Sequence, residues 1–145
     1  MSLVLLDVDH FKHINDQRGH ATGDRVLEAV GRLIGTTMRR YDICARWGGE
    51  EFVALLPGID RAEAAAVAER LRAAVAALWI EDGRGAAVPV TASFGVSTRL
   101  VGESFDAFLD RADKAMYAAK AAGRNCVRLA DAAQVVHVSD QVAAE

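Results

Sequence analysis

An apolar run, Leu3 to Val8, carries Asp7 near its end and is followed at once by Asp9; a second acidic pair, Glu50-Glu51, follows Gly48-Gly49. Carboxylates crowded together repel one another unless they are protonated or bridged by a cation. Mg²⁺ takes one or two protein carboxylates together with phosphate oxygens, so Asp7 with one of the two glutamates has the chemistry of a metal-assisted phosphate site. Side chains alternate along a strand, which predicts that Glu50 and Glu51 point opposite ways and that only one faces Asp7. Acidic residues merely solvated at strand ends are the plain alternative.

The polar stretch after Asp9 holds a second set. Lys12 can serve as a point charge for phosphate. The Asp24 carboxylate can accept from both N1–H and N2–H₂ of guanine, a donor pair that adenine lacks, and the Asn15 amide can add a contact to the same base. The plain readings are that Asp24 caps a helix, Asn15-Asp16 forms a turn, and Gly19 and Gly23 only relax the backbone. Lys120 and Arg124, four apart at the end of a helical pattern, lie on one side if the last turn stays helical. They are either a phosphate clamp or a complement to the helix dipole.

Positioning these groups requires the following elements. Leu3 to Val8 reads as a strand buried on both faces, with Asp7 and Asp9 pointing the same way. His13 to Gly23 reads as a loop, and Asp24 to about Met38 as a helix with the stripe Val26, Leu27, Val30, Leu33, Ile34. Ile43 to Trp47 and Phe52 to Leu56 read as a hairpin closed by Gly48-Gly49, a tight primed turn in which glycine supplies positive φ. Asp60 with Glu63 starts a second helix, on which Val67, Leu71, Val75 and Leu78 follow the helical period. Gly83 to Ala86 is a loop and Val88 to Ser97 a strand. Phe105 to Ala119 forms a third helix, closed by Gly123, and Asn125 to Leu129 a last strand. Residues 131–145 read as an appended helix or a disordered tail. The order β-α-β-β-α-β-α-β predicts an α/β (α+β) fold of the ferredoxin-like split βαβ type, one sheet flanked by helices, over residues 1–130.

The 145 residues fit one domain, 52% apolar and 26% charged, as in a soluble globular protein. A net charge of −3 and a pI near 5.8 lack the basic footprint of a nucleic-acid binder. Phosphate must therefore be handled by a few placed cations and metal ions. Cys44 and Cys126 are far apart, show no metal-binding spacing and lie in apolar strand-like runs, which predicts buried thiols in a reducing cytoplasm. No apolar stretch approaches the ~18 residues of a membrane span, and no signal peptide is seen, so no membrane contact is expected of this domain.

Taken together, these segments resemble the GGDEF domain family of diguanylate cyclases. Gly48-Gly49-Glu50-Glu51-Phe52 reads as the Glu-containing variant of the signature, and the stretch from Asp7 to Asp24 matches the family's Asp-x-Asp-x-Phe-Lys-x-Ile-Asn-Asp-x-x-Gly-His-x-x-Gly-Asp. Ala92-Ser93-Phe94-Gly95-Val96 and the segment Ala115 to Asn125 resemble the family's later strand and closing helix. The similarity covers nearly all of Leu3 to Leu129, and four motifs in order at family spacing are specific.

The resemblance implies a palm-type cyclase that joins two GTP molecules into cyclic di-GMP and pyrophosphate. It implies Mg²⁺ (or Mn²⁺) held by Asp7, Glu50 and the Val8 carbonyl, with Glu51 assisting. Asn15 and Asp24 would read guanine with His20 nearby, Phe11 and Lys12 would contact the phosphates, and Lys120 and Arg124 would hold the β- and γ-phosphates. Glu50 would help deprotonate the attacking 3′-hydroxyl, with Lys12 steadying developing charge. Each domain holds one GTP, so a homodimer is implied, with an upstream sensory or receiver domain controlling it in a cytoplasmic or membrane-anchored protein. The family's product-inhibition motif, Arg-x-x-Asp, reads Arg39-Arg40-Tyr41-Asp42, with Arg70 as the further arginine; a surface ion pair of Arg39 with Asp42 is the plain alternative. The family carries a helix before the first strand, and Met1-Ser2-Leu3 leads straight into that strand. A domain truncated at its amino end, with apolar surface open to association, is therefore expected. A cyclic di-GMP-binding sensor that makes no product is the alternative function.

Overall fold

The structure, a computed structural model, describes residues 1–131; the helix or disorder expected of the tail lies outside the described residues, apart from Asp131. The elements are β1 (Ser2–Val8), α1 (Phe11–Arg18), α2 (His20–Thr37), β2 (Ile43–Arg46), β3 (Glu51–Leu56), α3 (Arg61–Ala76), β4 (Ala92–Thr98), α4 (Phe105–Ala121) and β5 (Val127–Leu129). The sheet order is β2-β3-β1-β4-β5, antiparallel throughout except for the parallel pair β4–β5. The first four strands follow the split βαβ order that the sequence predicts, and β4-α4-β5 adds a parallel crossover at one edge.

Every residue of β1 is buried, because helices cover both faces of the sheet centre. Val4, Leu6 and Val8 point into a core shared with Phe11, Ile14, Val26, Val30, Leu71 and Val75 of α1, α2 and α3. Leu3, Leu5 and Val53 face the other way, against Phe108, Ala112 and Met116 of α4. Asp7 shares the parity of Leu3 and Leu5, so it ends the strand on the α4 side.

Several local expectations change. The predicted loop His13 to Gly23 is helical, broken only at Gly19 (φ 85°). Its polar sequence conceals the pair Phe11 and Ile14, three apart and buried, and tertiary packing of that pair carries an eight-residue helix with little amphipathic signal. Thr22 Oγ1 donates to the Arg18 carbonyl at 2.9 Å, satisfying an end group of α1. Asp24 consequently lies inside α2 and is not its cap. The strand predicted from Val88 begins only at Ala92. Residues 80–88 instead form a small arm, in which Val88 N–H donates to the Ile80 carbonyl and Asp82 N–H to that of Ala86. The arm is fastened to α1 through Asp82. The Ala86 amide, the Arg18 guanidinium and the Arg84 amide bring its carboxyl down to about 2.

The expected helix start at Asp60 is a full capping box: Glu63 N–H donates to Asp60 Oδ1 at 2.9 Å, and Asp60 N–H to Glu63 Oε2 at 3.3 Å. Cys44 is exposed, because β2 is an edge strand with all four residues exposed; Cys126 is half-buried, its thiol donating to the Ala119 carbonyl. Ile43 and Trp47 remain exposed at this edge. Among the described residues no helix is long and apolar enough to cross a membrane.

Gly95 sets the distance between sheet and α4. A Cβ there would collide with the Ala112 carbonyl and the Met116 amide, both of them backbone. Gly95→Ala is expected to cost about 3 kcal/mol or more, read as a lowered urea midpoint. Gly35→Ala, in open space on α2, is expected to raise stability by about 0.5–1 kcal/mol in the same measurement.

Candidate active site

The end of β1 collects the charged groups. Asp7 pairs with Glu51 across β3 and with Ser93 across β4. Directly opposed residues share a sheet face, so the Glu51 side chain lies on the side of Asp7. Glu50 precedes the strand, in the turn, and its carbonyl accepts from Val8 N–H at 3.1 Å. Strand alternation therefore does not govern Glu50, and the charge of Asp7 bears on both glutamate carboxyls.

Burial pushes the Asp7 carboxyl above its usual range and the charge of Asp9 adds to the push, while the ion pair with Lys120 and the charge of Arg124 pull it back. Lys120 Nζ lies 3.0 Å from Asp7 Oδ2. Glu50 and Glu51 are also raised, first by burial and then by Asp7, with Lys120 opposing. Among the described residues no three His, Cys, Asp or Glu side chains converge into a metal-holding group. The donors on offer are instead the carboxyls of Asp7 and its cross-strand neighbour Glu51, with Glu50 in the adjoining turn. That set suits a hard cation sharing its remaining positions with phosphate oxygens.

The Gly48-Gly49 turn is not the primed turn expected from sequence. Neither glycine has positive φ; Trp47 and Gly48 N–H both donate to the Glu51 carbonyl, making a four-residue loop. A Cβ at Gly48 would lie 2.7 Å from Glu51 Oε2, so the Glu51 carboxylate would have to shift to admit a side chain there. The Arg46 guanidinium binds the loop from below, its Nε donating to the Gly48 and Gly49 carbonyls at 3.1 Å and its Nη2 to Gly49 at 2.6 Å. Sequence reasoning missed Arg46. Its position just before a glycine pair was the available signal.

Lys120 and Arg124 do not share a helical turn as expected. α4 ends at Ala121, and Gly123, Arg124 and Asn125 all have positive φ. The charge of Arg124 still bears on Asp7, and Lys120 pairs with it directly.

The second group sits on α1 and α2. The Asn15 Oδ1 is buried and, among the described residues, without a partner, facing Gly23, where a Cβ would collide with it. A buried acceptor left unpaired costs about 1–3 kcal/mol, so a ligand donor would be welcome there. Asp24, next to Gly23, is exposed, as are His20 at the start of α2 and Lys12 in the first turn of α1. The Phe11 ring is in the core, which leaves only its main-chain N–H for a phosphate; α1 has no side-chain cap, so its first amides point outward. Arg39, Asp42 and Arg70 lie apart, after α2 and on α3. Asp42 Oδ2 accepts from the Arg39 main-chain N–H at 2.8 Å, and among the described residues the two side chains form no ion pair. Arg39 and Arg70 are exposed.

The three raised carboxyls make the folded chain hold protons that the unfolded chain releases. Their contribution to stability is therefore lost as pH climbs through the ordinary carboxylate range, about 4, to their higher folded values. Asp7→Asn removes the buried titration. Its melting temperature relative to wild type is expected to shift in the variant's favour between pH 4 and pH 7 without divalent cation; a difference independent of pH would contradict the raised Asp7 carboxyl.

The family profile described as "Diguanylate cyclase, GGDEF domain" matches residues 1–126. The chain is 45% identical over 131 residues to Diguanylate cyclase A of Treponema denticola, covering 89% of this chain and 35% of that protein. It is 45% identical over 127 residues to the diguanylate cyclase DgcM of Escherichia coli, covering 87% and 30%. The chain thus spans about a third of the length of these curated relatives. Among solved structures, the GGDEF domain of DgcB from Caulobacter crescentus in complex with c-di-GMP superposes with a TM-score of 0.87 at 37% identity, covering 90% of this chain and 78% of that one. The active GGEEF domain of a diguanylate cyclase from Vibrio cholerae gives 0.82 at 31% identity, covering 90% and 83%.

Proposed function

Because the chain belongs to the GGDEF family of diguanylate cyclases, we propose that it condenses two GTP molecules into cyclic di-GMP in a bacterial cytoplasm. The observation that carries this reading is the end of β1, where Asp7 pairs with Lys120 at 3.0 Å and lies opposite Glu51 in the sheet. Carboxyls raised first by burial, with the charge of Asp7 adding to the rise at Glu50 and Glu51, suit a metal–triphosphate complex that would bring them positive charge.

Asp7, Glu50 and the Val8 carbonyl would hold Mg²⁺ or Mn²⁺, with Glu51 assisting; when bound, the ion neutralises phosphate charge and acidifies the attacking hydroxyl. Lys120 and Arg124 bind the β- and γ-phosphates, and Lys120 gives up its pairing with Asp7 to do so. Lys12 and the first amides of α1 steady charge on the phosphates. Asn15 offers its unpartnered Oδ1 to guanine and Asp24 accepts from the base's N1–H and N2–H₂, with His20 at the rim. Glu50 takes the proton of the 3′-hydroxyl. The 3′-oxygen then forms a bond to the α-phosphorus of the second GTP as the bond to pyrophosphate breaks. The reaction runs twice, so two domains facing across a two-fold axis supply both attacks with identical parts. An upstream sensory or receiver domain would set that pairing. Arg39, Asp42 and Arg70 form a separate site for the product. There Arg39 and Arg70 offer bidentate donors to phosphate, and the Asp42 cap fixes the turn that presents Arg39.

Incubation with GTP and Mg²⁺ is expected to yield cyclic di-GMP by chromatography, and Glu50→Ala to lower the rate more than about 100-fold with the fold intact. Tight product binding by wild type with no synthesis would overturn the reading in favour of a sensor. Arg39→Ala is expected to weaken cyclic di-GMP binding about tenfold by calorimetry and to relieve inhibition. Unchanged affinity would remove the product site.

A further inference from the structure

We propose that Asp9 is a positioning residue whose buried carboxylate anchors the left-handed turn Gly123–Asn125 and so aims Lys120 and Arg124 at the triphosphate. The proposal rests on the synthase reading above, but on different atoms. Asp9 is 4% exposed and lies just past β1. Its Oδ1 accepts the Ser93 hydroxyl at 2.6 Å; its Oδ2 accepts the Thr91 hydroxyl at 2.7 Å and the Asn125 main-chain N–H at 3.0 Å. Its own N–H donates to the Thr91 carbonyl at 2.9 Å. One side chain thus ties the end of β1, the approach to β4 and the turn after α4.

The turn needs such a tie. Gly123, Arg124 and Asn125 have φ of 110°, 65° and 44°, and the left-handed region is unfavourable for the two residues that carry side chains. Gly123 N–H donates to the Lys120 carbonyl at 3.3 Å and Arg124 N–H to that of Ala119 at 3.1 Å, bonds that close the helix but do not tie it to the sheet. Asn125 Oδ1 also accepts from Arg72 Nη1 at 2.9 Å, on the exposed surface, where water competes. The Asp9 bond is part-buried and charge-assisted, which makes it the stronger hold. With that bond broken, Arg124 is free to relax to right-handed φ, carrying its guanidinium away from Asp7. The carboxylate accepts three protein hydrogen bonds, the mark of an anchor.

Two measurements on the 145-residue chain test this. In hydrogen–deuterium exchange without nucleotide, Asp9→Ala is expected to speed exchange at residues 123–126 while β1 and β3 stay protected. Asp9→Asn, which keeps an acceptor for Asn125 and Thr91 and can donate to Ser93, is expected to retain most of the protection. In calorimetric titration with GTP and Mg²⁺, Asp9→Ala is expected to weaken GTP about tenfold with the Mg²⁺ requirement unchanged, and Asp9→Asn to restore affinity to within about threefold. Unchanged exchange in the turn overturns the proposal, as does unchanged affinity in Asp9→Ala when wild type binds GTP. Asp9→Asn as weak as Asp9→Ala, with a shifted Mg²⁺ requirement, also overturns it, because Asp9 would then be a metal ligand. If Asp9→Ala does not fold, Asp9→Asn and Ser93→Ala carry the same comparison. Wild type that binds no GTP overturns the synthase reading alone, and exchange in the turn still decides the anchor.

Discussion

The structure is organised around a carboxylate buried at the end of its central strand. Asp7 is 5% exposed, and a charge placed there must be compensated by its surroundings or give up its ionisation. Lys120 supplies part of the compensation from α4 and Arg124 part from the turn beyond it. Both depend on α4 lying close against β4, which Gly95 permits. The fold therefore spends its closest backbone packing on bringing two cations to one acid. Glu50 and Glu51, at the turn between β2 and β3, are raised first by burial and then by the charge of Asp7.

Two layers do different work. The face covered by α1, α2 and α3 holds the larger core and fixes the sheet, while the α4 face holds a smaller apolar cluster and the charged groups. The base-reading candidates and Lys12 come from the first layer, and Lys120 and Arg124 from the end of α4 in the second, so a nucleotide would span the sheet's end from one layer to the other. Asn15 and Gly23 show how tightly the first layer is made: the amide of one occupies the space where the other lacks a side chain.

Much of this was legible in the sequence. Continuous apolar character marked β1 as buried on both faces, the Asp60–Glu63 pair marked the start of α3, and the element order fixed the split βαβ arrangement. The parts that escaped were those decided by tertiary contact. α1 has too few apolar residues for its period to show, yet Phe11 and Ile14 suffice once a core exists to receive them. The double glycine suggested a positive-φ turn, whereas neither glycine adopts one and Arg46 ties the turn's carbonyls. Cys44 sits in an apolar run, and nothing in that run says that its strand lies at an edge. Asp9 and Asp82 act through partners 116 and 64 positions away in the chain, which no local pattern records.

The two borders of the sheet share a property. β2 has four residues and β5 three, and each includes an arginine, Arg46 and Arg128. A foreign strand arriving at either margin would find few free amides and carbonyls to join, and a fixed positive charge beside them. Either margin is thus ill suited to extend the sheet into a continuous fibre with a second copy.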